Sequence, residues 1–208
     1  MHLKSIKFGG TSMGSAKSIQ ECAKIIKKKI NESLVVVTVS AVGGITDKLI
    51  EIIRLARKTK PRLVKSKVIE ISNIHRQILK NLILDDEKTE NLWTQEFEPI
   101  INKLEAISYG TSLVGDLTDK TEARICAFGE KLSSLLMLLA LEKIGIRSQR
   151  IESERIIRTD NNYLKAKVNF QATNLSSKKI LRPIFSKKIV PVVTGFIGKD
   201  THGNITLL

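Results

Sequence analysis

Leu3-Lys4-Ser5-Ile6-Lys7-Phe8-Gly9-Gly10-Thr11-Ser12 is the stretch from which the fold of this chain is read. Leu3, Ile6 and Phe8 give the apolar pattern of a short buried strand, and two glycines and two hydroxyl residues break it sharply. Ser15 and a helical pattern follow. A strand that turns through glycines into a helix leaves several backbone N–H groups unpaired and pointing one way, the geometry that holds a phosphate. Lys7, at the end of the strand, can set a point charge beside the same anion. Two common phosphate loops do not match. Gly9 and Gly14 have the glycine spacing of a P-loop, but Ser15 and Ala16 follow and the lysine arrives only at Lys17. The dinucleotide pattern G-x-G-x-x-G is absent.

Outward from this turn, Ile19, Cys22, Ala23, Ile26 and Ile30 recur at steps of three and four, which predicts an amphipathic helix from about Ser15 to Ser33. Leu34 to Val39 is a nearly unbroken β-branched run, as in a parallel strand buried on both faces. Strand, helix and strand make a βαβ unit whose strands end on one edge, where parallel sheets bind ligands. The second strand ends in Ser40-Ala41-Val42-Gly43-Gly44-Ile45-Thr46-Asp47, another glycine turn, with Thr46 or Asp47 placed to cap the next helix. Two such turns at one edge point to a site in which Ser40 and Thr46 offer hydroxyl groups.

From about 47 to 120 the chain makes a mostly helical excursion, interrupted at Pro61, with Trp93 and Phe97 on one face and a polar loop from Thr111 to Lys120. Phe128-Gly129-Glu130 then precedes the most apolar helix, Leu135 to Leu141, closed by Gly145. Glu130 has two readings here: a charge that complements the helix dipole, or a carboxylate aimed into the crevice to hold an ammonium group. Ile146 to Ile151 and Arg155 to Thr159 read as short strands, and Asn174 to Lys187 as a helix despite Pro183. Ile189 to Thr194 is a buried strand that ends in a third glycine turn, Gly195-Phe196-Ile197-Gly198.

Composition limits the alternatives. With 208 residues, 42% of them hydrophobic, the chain can bury one sizeable core. No apolar run approaches the roughly 18 residues of a membrane span. The start lacks a signal-peptide pattern, so the expected location is the cytoplasm. Lys and Arg outnumber Asp and Glu by 35 to 21, a net charge of +14. The positive residues are dispersed and only 4% of residues are aromatic, which fits solvated faces better than specific nucleic-acid recognition. Cys22 and Cys126 read as buried reduced thiols, and no His or Cys stands near them at metal spacing.

Four segments in the same order resemble the aspartate kinases of the amino acid kinase superfamily. They are Lys7 to Ser12, Val39-Ser40-Ala41 through Thr46-Asp47, Phe128-Gly129-Glu130 with Leu132-Ser133, and Thr194 to Gly198. The resemblance implies an α/β fold, a three-layer αβα sandwich with a mainly parallel central sheet. It implies transfer of the ATP γ-phosphoryl group, with Mg²⁺ accompanying the nucleotide, to the side-chain carboxylate of L-aspartate, the first step toward lysine, threonine, methionine and diaminopimelate. Lys7 would be the catalytic cation, and Lys7, Phe8, Gly9, Gly10, Thr11 and Ser12 the phosphate-binding segment. Ser40, Ala41, Thr46, Glu130 and Phe196 would form the aspartate pocket, with Glu130 on the substrate ammonium.

The resemblance also sets limits. In the family, the strand at which this chain stops runs into a Gly-Arg-Gly-Gly-Ser-Asp stretch, and the adenine-binding and regulatory parts lie further on. The expectation is therefore an incomplete catalytic domain over residues 1–208, its C-terminal portion missing. Little or no kinase activity is expected from it alone, an apolar edge at Leu207 and Leu208, and a homo-oligomer for the full-length enzyme. A fragment that binds aspartate or a partner without catalysis, or another phosphotransferase of the superfamily, stands as the alternative.

Overall fold

Ser15 turns the chain out of its first glycine loop and starts a helix by a reciprocal cap. Its hydroxyl accepts from the Ser18 backbone N–H at 3.1 Å, while the Ser18 hydroxyl accepts from the Ser15 N–H at 3.0 Å. Helix α1 (Ala16–Lys29) thus links strands β1 (Leu3–Phe8) and β2 (Leu34–Val39) in a computed structural model that describes residues 2–208. The two strands are parallel, in register from Leu3 opposite Leu34 to Phe8 opposite Val39.

Two further strands, β3 (Ser148–Ile151) and β4 (Val190–Thr194), complete a parallel sheet in the order β1-β2-β4-β3. Alternate residues of β2 divide the core. Val35, Val37 and Val39 face a large layer of helices, whereas Val36 faces a smaller cluster with Ile151, Val193 and Ile184. The large layer is built from α1, α2 (Ile45–Arg57), α3 (Pro61–Ile83), α5 (Glu98–Val114) and α7 (Phe128–Lys143). The second face is covered by α8 (Phe170–Ser186), whose Ile184 is buried and whose chain continues through Pro183. Helices on both faces of a parallel sheet make the three-layer α/β sandwich that the resemblance implies.

Several local expectations change. Strand β1 is not buried: Leu3 is 58% exposed and of this strand only Phe8 is buried, because β1 is an edge strand with a neighbour on one side alone. The second face of β2 is only half-buried, since α8 packs chiefly against β4. Neither Thr46 nor Asp47 caps α2; the cap is Gly44, at φ +79°. The polar stretch from Thr111 is helical as far as Val114, because the Thr111 and Ser112 hydroxyls donate back to the carbonyls of Ile107 and Tyr109. Gly115 at φ +75° ends that helix, and Thr118 caps α6 (Asp119–Cys126).

In the helical excursion, α4 (Asp86–Leu92) runs into α5 through a π-helical turn, Trp93–Phe97, whose two aromatic rings stack at 5.6 Å. Arg155 to Thr159 is not a strand. It begins in a short 3₁₀ turn, Ser153–Arg155, and pairs only through isolated bridges at Arg158 and Thr159. After β4, β5 (Ile197–Lys199) and β6 (Ile205–Leu207) form an antiparallel hairpin. Leu207 is consequently only 5% exposed rather than an open edge, although Leu208 is exposed. Among the described residues no helix is long and apolar enough to cross a membrane.

Candidate functional site

Three glycine turns meet at the carboxyl edge of the sheet. The first, after β1, lies against the second: a Cβ on Gly10 would stand 3.2 Å from the Ala41 carbonyl, and one on Gly43 would stand 3.3 Å from the Gly10 carbonyl. The Ser40 N–H donates to the Phe8 carbonyl at 3.0 Å, which ties the two strand ends together. The third turn closes on the other side of β2. The Gly195 N–H donates to the Val39 carbonyl at 2.8 Å, and a Cβ there would stand 2.9 Å from the same oxygen. Glycine is required at this last point by space alone.

The first turn is folded for anions. Met13 N–H donates back to the carbonyls of Gly9 and Gly10, both at 3.1 Å, which bends the loop. Among the described residues the N–H groups of Gly10, Thr11 and Ser12 have no hydrogen-bond partner, so three donors remain available at one bend. Gly9 and Thr11 are exposed, Ser12 is half-buried, and Phe8 anchors the segment in the core. The second turn adds the N-terminus of α2. Its Gly44 cap brings no side chain to the first N–H groups, and those of Thr46 and Asp47 also lack partners.

Whereas Asp47 in the first turn of α2 is exposed, Glu130 is the buried acid at this rim. It lies in the first turn of α7 and is 5% exposed, with Oε1 accepting from the Ala41 N–H at 3.2 Å. Burial pushes its carboxyl up to about 7, opposed by hydrogen bonds from its own N–H and that of Ala41 and by the positive charge of Lys7. The helix can come this close because residue 129 is glycine: a Cβ there would meet the Ala41 Cβ at 2.7 Å.

The structure therefore brings Lys7, the 9–12 turn, Ser40, Ala41, Thr46 and Glu130 together. Phe196 sits on the far side of β2, in the left-handed region at φ +60° and 53% exposed, and its carbonyl accepts from the Leu208 N–H at 3.1 Å. Both thiols are held protonated: burial raises Cys22, whose Sγ donates to the Ser12 carbonyl at 3.6 Å, and burial with the charges of Glu122 and Glu130 pushes Cys126 up to about 12.

What the sequence reading passed over is the brace behind Glu130. Lys131 holds Glu154 at 2.7 Å and Glu152 at 3.5 Å, and Arg150 reaches both Glu152 and the Ser134 hydroxyl. Across the sheet end, the Thr194 hydroxyl accepts from the Ser153 N–H at 2.8 Å. The charges at every second position, Arg150 in β3, then Glu152 and Glu154 running into the 3₁₀ turn, were the available signal.

A profile of the amino acid kinase family matches residues 6–208, and the chain belongs to that family. It is 28% identical over 202 residues to an aspartokinase of Chlamydia muridarum, covering 97% of this chain and 41% of that protein. It is 31% identical over 198 residues to the chloroplastic aspartokinase 2 of Arabidopsis thaliana, covering 93% of this chain and 35% of that one. The crystal structure of Escherichia coli aspartokinase III in complex with aspartate and ADP superposes with a TM-score of 0.86 at 25% identity, over all of this chain and 43% of that one. The chain thus spans about two fifths of the length of these relatives.

Proposed function

We propose that this chain forms the amino-acid and phosphate-binding part of an aspartate kinase, which transfers the γ-phosphoryl group of ATP to the side-chain carboxylate of L-aspartate. The observation that carries the reading is the charge layout of the rim. Unpaired donors on two turns and Lys7 favour anionic groups, while one buried carboxylate, Glu130, stands ready for a cation. A small acid with one ammonium group, beside a phosphate, has the matching pattern.

The chemistry needs little from the protein beyond placement. A carboxylate with an ordinary pKa near 3.9 is already ionised at neutral pH, so its oxygen attacks without a general base. The barrier is the approach of two anions. Lys7 and the Gly9, Gly10, Thr11 and Ser12 turn offset charge on the transferring group, and the ion pair between Glu130 and the substrate ammonium fixes orientation. Ser40, Ala41 and Thr46 shape the pocket around the acid, which Phe196 would border from the turn after β4. Among the described residues no three His, Cys, Asp or Glu side chains converge as a metal cage. Mg²⁺ carried by the nucleotide phosphates would supply further charge neutralisation. The similarity to the aspartokinase bound to aspartate and ADP supports the same substrate and nucleotide. A cytoplasmic, homo-oligomeric full-length enzyme completes the proposal.

The test is a titration of the isotopically labelled chain with L-aspartate and, separately, succinate, followed by amide NMR. L-aspartate should shift Ala41, Thr46 and Glu130, and succinate, which lacks the ammonium, should bind at least about tenfold more weakly. Equal binding of the two, or shifts confined to other parts of the chain, refutes the assignment.

A further inference from the structure

The brace behind Glu130 also floors a second cleft, of about 640 Å³, which opens between α5, α6, the start of α7 and the tip of the β5–β6 hairpin. Its walls are positive. Lys103 projects from α5, Lys120 and Arg124 from successive turns of one face of α6, and Lys199 from β5. None of these four has an ion-pair partner among the described residues, whereas Lys131 at the base is held by Glu152 and Glu154. Four cations crowded round one concavity repel one another, and the local charge is lowered by an anion seated between them.

The base asks for something different. Glu154 borders the cleft, is 9% exposed, and its Oε2 is buried without a hydrogen-bond partner, although Oε1 is on Lys131. A buried carboxylate oxygen left unpaired is costly, and a donor from a ligand would relieve it. Apolar side chains, Ile100, Ile107 and Phe128, line part of the cleft and give a short carbon skeleton a place to lie.

We propose that this cleft is a binding site for a small phosphorylated molecule that carries a hydroxyl group, with its phosphate among Lys103, Lys120, Arg124 and Lys199 and its hydroxyl donating toward Glu154. The site lies outside the rim of glycine turns and does not depend on the kinase reading. Glycerol 3-phosphate is the probe, titrated calorimetrically into the chain at low ionic strength.

Saturable binding to one site is expected, weakened by about tenfold or more in a Lys103→Ala/Arg124→Ala double variant. It should persist in Lys7→Ala, which removes the cation of the other rim and with it weaker phosphate binding there. Methyl phosphate, which lacks hydroxyl groups on carbon, should bind several-fold more weakly. Absence of saturable binding, unaltered binding by the double variant, or loss of binding in Lys7→Ala alone overturns the site. Equal affinity for methyl phosphate overturns the role of Glu154. If circular dichroism shows the double variant unfolded, Lys120→Ala, at an exposed position, carries the same readout.

Discussion

The backbone N–H of Ala41 donates to Oε1 of Glu130 across 3.2 Å, joining two residues 89 positions apart at the end of one sheet. Burial holds that carboxyl near 7, against an ordinary value of 4.5, so its protonation changes within the physiological range. If the ionised form pairs with the substrate ammonium, a proton must leave first below pH 7. We predict that L-aspartate affinity falls by about tenfold per pH unit below 7 and levels off above it. Glu130→Gln should bind weakly with a flat profile, and calorimetry between pH 5 and 9 decides; an unchanged slope in the variant refutes the role.

The same shift has a consequence for folding. A carboxyl whose folded-state pKa is raised contributes its full stability below its unfolded value near 4.5 and loses it as pH rises through about 7. Without ligand, Glu130→Gln should therefore be the more stable form at pH 8, by up to about 3 kcal/mol. Urea unfolding at pH 5 and pH 8 measures it. A variant less stable at pH 8 is the contrary result.

Lys7 is exposed on an edge strand, so its removal costs the fold little. We expect Lys7→Ala to leave the melting temperature within a few degrees of the parent, while any phosphoryl transfer in the proposed reaction falls at least about a hundredfold. Aspartyl-hydroxamate formation with ATP and L-aspartate provides the assay. Near-normal turnover removes Lys7 from the mechanism.

Gly129 sets the distance between α7 and the second turn. With a Cβ placed 2.7 Å from that of Ala41, Gly129→Ala must push the helix outward. The expected cost is about 1–3 kcal/mol, together with loss of the Ala41–Glu130 hydrogen bond and hence of aspartate affinity. A variant as stable as the parent would show that the helix has slack there.

His75, buried in α3, has Nδ1 2.8 Å from the Ile71 carbonyl and no partner for Nε2. Burial lowers it from 6.5 to about 4, so it stays neutral in the fold while the unfolded chain takes up a proton below 6.5. Its stability contribution is intact above pH 6.5 and is lost as pH falls through 4, about 3 kcal/mol in all. Glu130 gains stability over nearly the same interval, so the parent should show a shallow profile between pH 7 and 4.5. His75→Leu should remove the acid-side loss, seen as rising relative stability toward pH 4; parallel curves for variant and parent dismiss it.

The sheet and its three turns were legible because glycines and β-branched runs obey strictly local rules. A close backbone approach excludes a side chain at Gly195 and crowds one at Gly10, and a close helix approach does so at Gly129, wherever the partner comes from. Exposure was not legible in the same way. Leu3 and Ile6 look buried in sequence, but whether β1 is central or an edge depends on strands paired far along the chain. The hydroxyl-rich helix end at Thr111 and Ser112 was hidden because such side chains serve loops and helices alike. The Lys131 brace depends on a contact across 23 residues, which periodicity does not register.

Strand β2 is flanked on one side by a segment 31 residues earlier and on the other by one 155 residues later, Leu3 opposite Leu34 and Val37 opposite Val192. Closing the longer loop costs about 1.4 kcal/mol more in chain entropy than the shorter one. During synthesis the first two walls of the rim can assemble while most of the chain is still unmade, and the wall carrying Phe196 docks last. A chain of the first 60 residues thus contains the first two glycine turns, yet has neither Glu130 nor the third turn.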